Sequence, residues 1–322
     1  MHLKQQTNLS KSVPYISGME SRYRDLNGYL RATFGEKVYK VGLVGGFTCP
    51  NRDGALGTGG CNFCNPESSR PLNHIPGMSI TSQLEAGIAY MRRRHRAGSF
   101  LAYFQDCTTT YGHPETLEAL YREALAFPGI VGLCLCTRPD SLHRPVLELL
   151  ETLSKTHFLW VEIGVQSGSN ETLSRMNRRH TAATALHAFR ELHRRGIRTG
   201  AHIILGFPGE TRDEAMGTAE LVNETWTMGV KIQNLHVVRG TPLEKSYLAG
   251  EFSPLAIDEY AALAVDFLER LNPETVILRL TGEAPAHLTV APEWSVNKMA
   301  VLGAVRGELA RRNTFQGRLY KG

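Results

Sequence analysis

Residues 49–64 read CPNRDGALGTGGCNFC. Three of the six cysteines stand here, spaced Cys49-x11-Cys61-x2-Cys64. The eleven residues between the first two have almost no apolar content, and Gly54, Gly57, Gly59 and Gly60 are among them. Such a segment has no hydrophobic face to bury. It is a loop, and a loop of this length is either functional or disordered. A Cys-x-x-Cys pair lets two thiolates face one metal centre, and glycines let the backbone fold close around it. A structural zinc site is closed by four ligands. Three thiolates suit a [4Fe-4S] cluster that keeps one iron open, with Cys49, Cys61 and Cys64 as its ligands. The competing expectation is a zinc site completed by a histidine such as His74. The run VYKVGLVGG (38–46) leads directly into this loop, so the cysteines follow a strand end.

From there a beat repeats: short apolar run, loop, amphipathic helix. The further runs are SFLAYFQ (99–105), GIVGLCLCT (129–137), HFLWVEIGV (157–165), RTGAHIILGF (198–207) and VKIQNLHVV (230–238). From the second run on, their ends fall about 30–40 residues apart, the size of a βαβ unit. Between them Leu117, Leu120, Tyr121, Ala124 and Leu125 make one helical stripe, and Leu142, Val146, Leu149, Leu150 and Leu153 another. Thr211 and Glu214 form a capping box, and Gly196 and Gly229 stand where helices should stop. Strands alternating with helices imply a parallel sheet. Six such units without a dinucleotide fingerprint suit an α/β partial (β/α)6 TIM barrel, with a doubly wound open sheet as the alternative. One more strand is expected at 275–282, after a helix over 256–271. The domain reading is a lead-in over 1–37, with some helix at 21–33, a barrel over 38–282, and an extension over 283–322 that caps the barrel. In such barrels chemistry sits at the C-terminal strand ends, which puts the cysteine loop at the mouth.

The bounds are those of an ordinary soluble globular protein. The chain has 322 residues, 42% hydrophobic and 21% charged, with a formal net charge of +5. No apolar run approaches bilayer length, and the N-terminus lacks an apolar signal core, so a cytoplasmic protein without membrane contact is expected. Six cysteines in a chain this long point to metal or redox chemistry rather than a disulfide framework. The positive charge tilts toward an anionic partner.

Three later stretches extend the pattern: VEIGVQSGSNETL (161–173), GAHIILGFPGET (200–211) and KIQNLHVVRGTPL (231–243). Together with the cysteine loop they resemble the motifs after the fourth, fifth and sixth strands of the radical S-adenosylmethionine (SAM) superfamily. The opening GFTCPNRDG…GGCNFCN and the later RLTGEAP…APEW resemble an uncharacterised bacterial radical SAM family. That family is related to the Elongator catalytic subunit, with which this chain also shares Thr137–Asp140 (TRPD) and the wide first cysteine spacing. The superfamily's usual spacing, Cys-x3-Cys-x2-Cys, is not kept. The resemblance covers roughly residues 20–300. It implies a [4Fe-4S] cluster whose open iron chelates the methionine end of SAM, so that one electron can cleave the sulfonium.

It also implies SAM contacts. Gln105, at the second strand end, corresponds to the position that binds the methionine amino group. Glu162 would bind a ribose hydroxyl or the amino group; its alternative is a carboxylate paired inside the barrel. Gln166 would reach the ribose or carboxylate. Arg178 would pair with the methionine carboxylate, or be a solvated charge beside Arg179. Gly206, Pro208 and Gly209 would let adenine lie against backbone, or form an ordinary turn. Cys134 and Cys136 share one strand face and read as core packing. Cys107 lies past a strand end, near the mouth.

The resemblance to the Elongator subunit makes a tRNA wobble-uridine side chain the first expected substrate. The chain looks too short for that subunit's acetyltransferase part. A small metabolite or peptide is the second expectation, and a non-enzymatic, zinc-stabilised RNA-binding barrel the third. A reducing partner such as flavodoxin or ferredoxin is implied. Basic residues gather at 92–96, 177–180, 193–198 and in ARRNTFQGRLYK (310–321). For an RNA substrate, His236 and Arg239 should face the mouth. Arg311, Arg312, Arg318 and Lys321 should lie on the same side; otherwise the tail covers the barrel bottom.

Overall fold

The computed structural model describes residues 21–71, 75–95, 97–282 and 284–322. His74, Arg96 and the first twenty residues of the lead-in lie outside the described residues. The strands are β1 (Val38–Leu43), β2 (Ser99–Phe104), β3 (Ile130–Thr137), β4 (Phe158–Gln166), β5 (Arg198–Leu205), β6 (Gly229–Asn234), β7 (Val237–Val238), β8 (Val276–Arg279) and β9 (Thr289–Ala291). Seven of them form one all-parallel sheet, ordered β1-β2-β3-β4-β5-β6-β8. It curls into a half-barrel whose edges, β1 and β8, stay apart. The sheet has one strand more than six units require, because the expected strand at 275–282 joins it. The run 230–238 is not one strand: β6 ends at Asn234, and β7 leaves to pair antiparallel with β9.

The helices are α1 (Leu26–Phe34), α2 (Ile80–His95), α3 (Pro114–Ala126), α4 (Arg144–Ser154), α5 (Asn170–Arg175), α6 (Ala182–Arg194), α7 (Arg212–Glu224), α8 (Pro242–Leu248), α9 (Ile257–Arg270) and α10 (Lys298–Arg311). Strand alternation sorts the side chains. Leu133, Leu135, Val161 and Ile163 face outward, in the main core with the helix stripes of α3 and α4. Cys134, Cys136 and Trp160 face inward. None of the helices among the described residues is long and apolar enough to cross a membrane.

The half-barrel has a floor. Helix α1, capped by the Asp25 carboxylate on the Gly28 N–H, sets Leu26, Tyr29, Leu30 and Phe34 against Trp160, Leu101 and Val38. Trp160 explains a glycine that the sequence left misread. Gly229 does not stop a helix; α7 ends at Glu224, and Gly229 opens β6. A Cβ there would come within 2.7 Å of the Trp160 ring and 2.9 Å of Leu278. Gly229→Ala is therefore expected to lower stability by about 1–3 kcal/mol, the usual overpacking cost, measured by urea unfolding. An unchanged midpoint would mean that the floor yields.

The tail lies on this floor side. Gln316 donates to the Thr275 carbonyl at 2.7 Å, and the Leu319 N–H to the Glu269 carbonyl at 2.7 Å. The first carbonyl immediately precedes β8 and the second lies in the last turn of α9, both opposite the mouth. Arg311 pairs with Glu308, and Arg312 with Glu308 and Asp266. The expectation that Arg311, Arg312, Arg318 and Lys321 share the mouth side is thus corrected. Backbone demand at the sheet's lower edge holds the tail there. Arg239 does stand at the mouth: its carbonyl accepts from Asn65, next to Cys64, at 2.9 Å.

Candidate active site

The cysteine loop follows β1 at the C-terminal end of the sheet. Cys61 is buried; Cys49 and Cys64 are half-buried. The loop is pinned from opposite sides. Asn177 donates to the Gly60 carbonyl, and Asn51 to the Asn177 carbonyl, both at 2.7 Å. Asn62 donates through its side chain to the Arg175 carbonyl at 2.8 Å and accepts the Leu243 N–H at 2.9 Å. The turn between α5 and α6, and the start of α8, thus hold a segment that has no apolar face of its own. Gly60 has φ +75°, and Arg52 packs where a Cβ would stand. The Arg52 guanidinium donates to the Cys64 carbonyl.

Arg178 is fully engaged. Its Nη1 donates to the Cys61 sulfur at 3.2 Å, Nη2 to the Gly164 carbonyl at 2.6 Å, and Nε to His180 at 3.2 Å. It is buried, not solvated, and each of its three nitrogens has a protein partner. Burial opposes ionisation of Cys61, but Arg178, Arg138 and Asn51 together outweigh it and hold the thiol below its ordinary range. Burial and the neighbouring Cys61 push Cys64 up. Cys107, at φ +53°, is close enough to feel Cys64 and Cys49; burial first, then Asp106, pushes its thiol to about 12.

Buried polar atoms without a protein partner gather at the same end. They include Asn51 Oδ1, Asp106 Oδ1, Thr108 Oγ1, Thr109 Oγ1, Arg138 Nη1 and Gln166 Oε1. Such atoms are costly unless something satisfies them. Gln166 is also held at φ +75°, at the end of β4. Arg138 has its other nitrogens on Asp140 and on the Arg178 carbonyl, so one edge of a fixed guanidinium stays open. Three cysteines beside a ring of orphaned donors and acceptors fit a cluster with a polar ligand on it. They fit a single ion less well. Among the described residues the three-ligand group tight enough for one ion is Cys136, Glu162 and His202, not the loop cysteines.

The other expected residues separate. Gln105 lies just past β2, its amide packed over Gly42. Gly206 and Gly209 have φ +92° and +71° in the turn between β5 and α7, where with Pro208 they line a cavity of about 400 Å³ shared with Leu255 and Glu259. Glu162 is a layer below the mouth. One carboxylate oxygen pairs with Lys40; the other accepts from Tyr103 at 2.9 Å and His202 at 2.6 Å. Glu162 is thus a carboxylate paired inside the barrel. Burial and Lys231 lower the His202 pKa to about 4, so it is neutral near pH 7 and contributes an N–H. Cys136 also departs from simple packing: its thiol donates to the Tyr103 hydroxyl at 3.1 Å. Lys40, Tyr103, Glu162 and Lys231 line a chamber of about 420 Å³ above α1. The TRPD motif was the signal for Arg138; nothing local marks the chamber.

The radical SAM superfamily model matches residues 49–222, and the radical SAM C-terminal domain model matches residues 227–311. The uncharacterised protein YtqA of Bacillus subtilis is 39% identical over 308 residues, 96% of this chain and 95% of that one. A tRNA uridine(34) acetyltransferase of Methanocaldococcus infernus is 30% identical over 164 residues, 50% of this chain and 30% of that one. The solved Elp3 of the same archaeon, lacking its N-terminus, superposes with a TM-score of 0.67 at 19% identity, over 87% of this chain and 64% of that one. That likeness is one of fold.

Proposed function

The chain belongs to the radical SAM superfamily, and on that premise we propose that it modifies the side chain of a tRNA wobble uridine. It is an enzyme that uses a [4Fe-4S] cluster and SAM, and it needs a reductant. Membership sets aside the non-enzymatic zinc barrel. When bound, the cluster supplies the electron that cleaves the sulfonium of SAM. In this proposal Cys49, Cys61 and Cys64 hold the cluster, and Arg178 supports the charge on Cys61. Gln166 Oε1 and Arg138 Nη1 meet the polar end of SAM, with Gln105 beside them. Gly206, Pro208 and Gly209 bear on the adenosine. Glu162 shapes the chamber below. A flavodoxin or ferredoxin serves as electron donor.

The observation that carries the RNA substrate is the match to the tRNA uridine(34) acetyltransferase over half of this chain. Arg52, Arg175, Arg179 and Arg239 around the cysteine loop supply a basic rim for phosphates. The floor-side tail supplies none, which favours the second reading, a small metabolite or peptide. Nucleoside mass spectrometry of tRNA from a deletion strain separates the two. The expected result is a changed wobble uridine, restored by the wild-type gene and not by a Cys61→Ala copy. An unchanged nucleoside profile would move the assignment to the small-molecule reading.

A further inference from the structure

One cation of the chamber beneath the mouth, Lys231, has no carboxylate against it among the described residues. Both oxygens of Glu162 are committed, to Lys40 on one side and to Tyr103 and His202 on the other. Lys231 enters the same space from β6. Its hydrogen-bond partner is a neutral group, the Tyr103 hydroxyl at 3.4 Å, with the Tyr103 ring face 5.9 Å away. Among the described residues no carboxylate stands within ion-pair distance of its ammonium, whereas Lys40 has one at contact. Burial, with Arg279 next to it, lowers the Lys231 pKa to about 8. An ammonium placed in a cavity without a counter-charge is costly by itself and becomes favourable when an anion fills the space. The cavity, at about 420 Å³, is of the size that takes a small molecule or the side chain and base of a larger one. The Tyr103 hydroxyl, which donates to Glu162 and accepts from Cys136, stands next to Lys231 and accepts from it.

We propose that Lys231, steadied by the Tyr103 hydroxyl that accepts from it, forms an oxyanion subsite in this chamber, which takes a carboxylate or phosphate belonging to the substrate. The strand register supports the placement. Lys231 pairs with His202 across β5 and β6, and Glu162 lies two residues before Gly164, whose carbonyl holds Arg178. The subsite is thus one layer below the cysteine loop, inside the barrel, where a group held by Lys231 lies beneath the mouth. Calling the anion part of the substrate rests on the proposed function; the existence of the subsite does not.

The test is anion-dependent stability, read on cluster-loaded protein without SAM or reductant. Melting temperatures of wild type, Lys231→Met and Tyr103→Phe are measured against acetate and, separately, inorganic phosphate, with sodium chloride holding ionic strength constant. Ligands that bind the folded state alone raise the melting temperature in a saturable way. The wild type should show that rise with at least one of the two, and which one identifies the oxyanion. Lys231→Met should lose it, yet melt no lower than the wild type without anion, because it removes a charge with no carboxylate against it and keeps the stem. Tyr103→Phe should weaken the rise. Equal responses of wild type and Lys231→Met, or no rise with either anion, would overturn the subsite. SAM binding provides the second arm. It should be unchanged in Lys231→Met; a loss would show that the site holds the carboxylate of SAM and overturn its assignment to the substrate. Failure of SAM cleavage would count against the proposed function and leave these readings untouched.

Discussion

Alanine at any one of Cys49, Cys61 or Cys64 is expected to abolish both the cluster and the formation of 5′-deoxyadenosine. In the proposed assignment each of the three thiolates would hold the cluster, and the loop between them is fixed in place by the Asn51, Asn62 and Asn177 hydrogen bonds. A neighbouring thiol has no slack backbone with which to take over a vacated position. Cys107→Ala, Cys134→Ala and Cys136→Ala should leave cluster and cleavage largely intact. Cys134 packs in the floor with Trp160, Cys136 lies against Tyr103, and Cys107 follows β2 rather than the loop. Iron and labile sulfide analysis of anaerobically purified variants, with 5′-deoxyadenosine measured under dithionite, checks all six. Stoichiometric zinc without sulfide in the wild type would sink the cluster assignment. Loss of the cluster in Cys107→Ala alone would make Cys107 a ligand. If Cys107→Ala cleaved SAM but gave no modified product, its thiol would be catalytic.

The barrel was legible because each strand is a contiguous apolar run and each helix a periodic stripe, both local signals. The cysteine loop was legible for the opposite reason, since a glycine-rich stretch with no apolar face needs a ligand to give it purpose. What failed was what depends on three-dimensional neighbours. Gly229 looked like a helix stop because nothing nearby in sequence shows that Trp160 needs its space. Arg178 could be read as a solvated charge or as a ligand contact, and the sequence does not show that its nitrogens meet Cys61, Gly164 and His180 while Arg138, 40 residues earlier, keeps one nitrogen without a partner. The tail looked like an RNA contact from its composition, while its backbone pairing takes it beneath the sheet. The chamber was invisible for the same reason. Lys40, Tyr103, Cys136, Glu162, His202 and Lys231 come one each from six strands, and only the curl of the sheet gathers them.

The central member of that layer gives the second large effect. Glu162→Gln is expected to destabilise the protein by about 3–5 kcal/mol, the cost of breaking a buried ion pair from one side. The carboxamide keeps the volume, so a cavity is not the cause. Lys40 is left as a half-buried ammonium without its counter-charge, and the Tyr103 and His202 donors face a weaker acceptor. Burial by itself would raise the Glu162 pKa, but Lys40 and His202 together hold it well below the carboxylate value of 4.5. A depressed carboxyl pKa contributes stability that is complete above the unfolded value and is lost as pH falls through the folded one. The gap between wild type and Glu162→Gln should therefore be full at pH 7 and shrink steadily below about pH 4.5. Lys40→Met combined with Glu162→Leu should recover much of the loss, because the pair is removed whole. Urea unfolding of the three proteins between pH 3 and pH 7 is the measurement. A Glu162→Gln protein as stable as the wild type, or a gap that does not change with pH, would mean that the Lys40 charge is satisfied by solvent from the chamber rather than by this carboxylate.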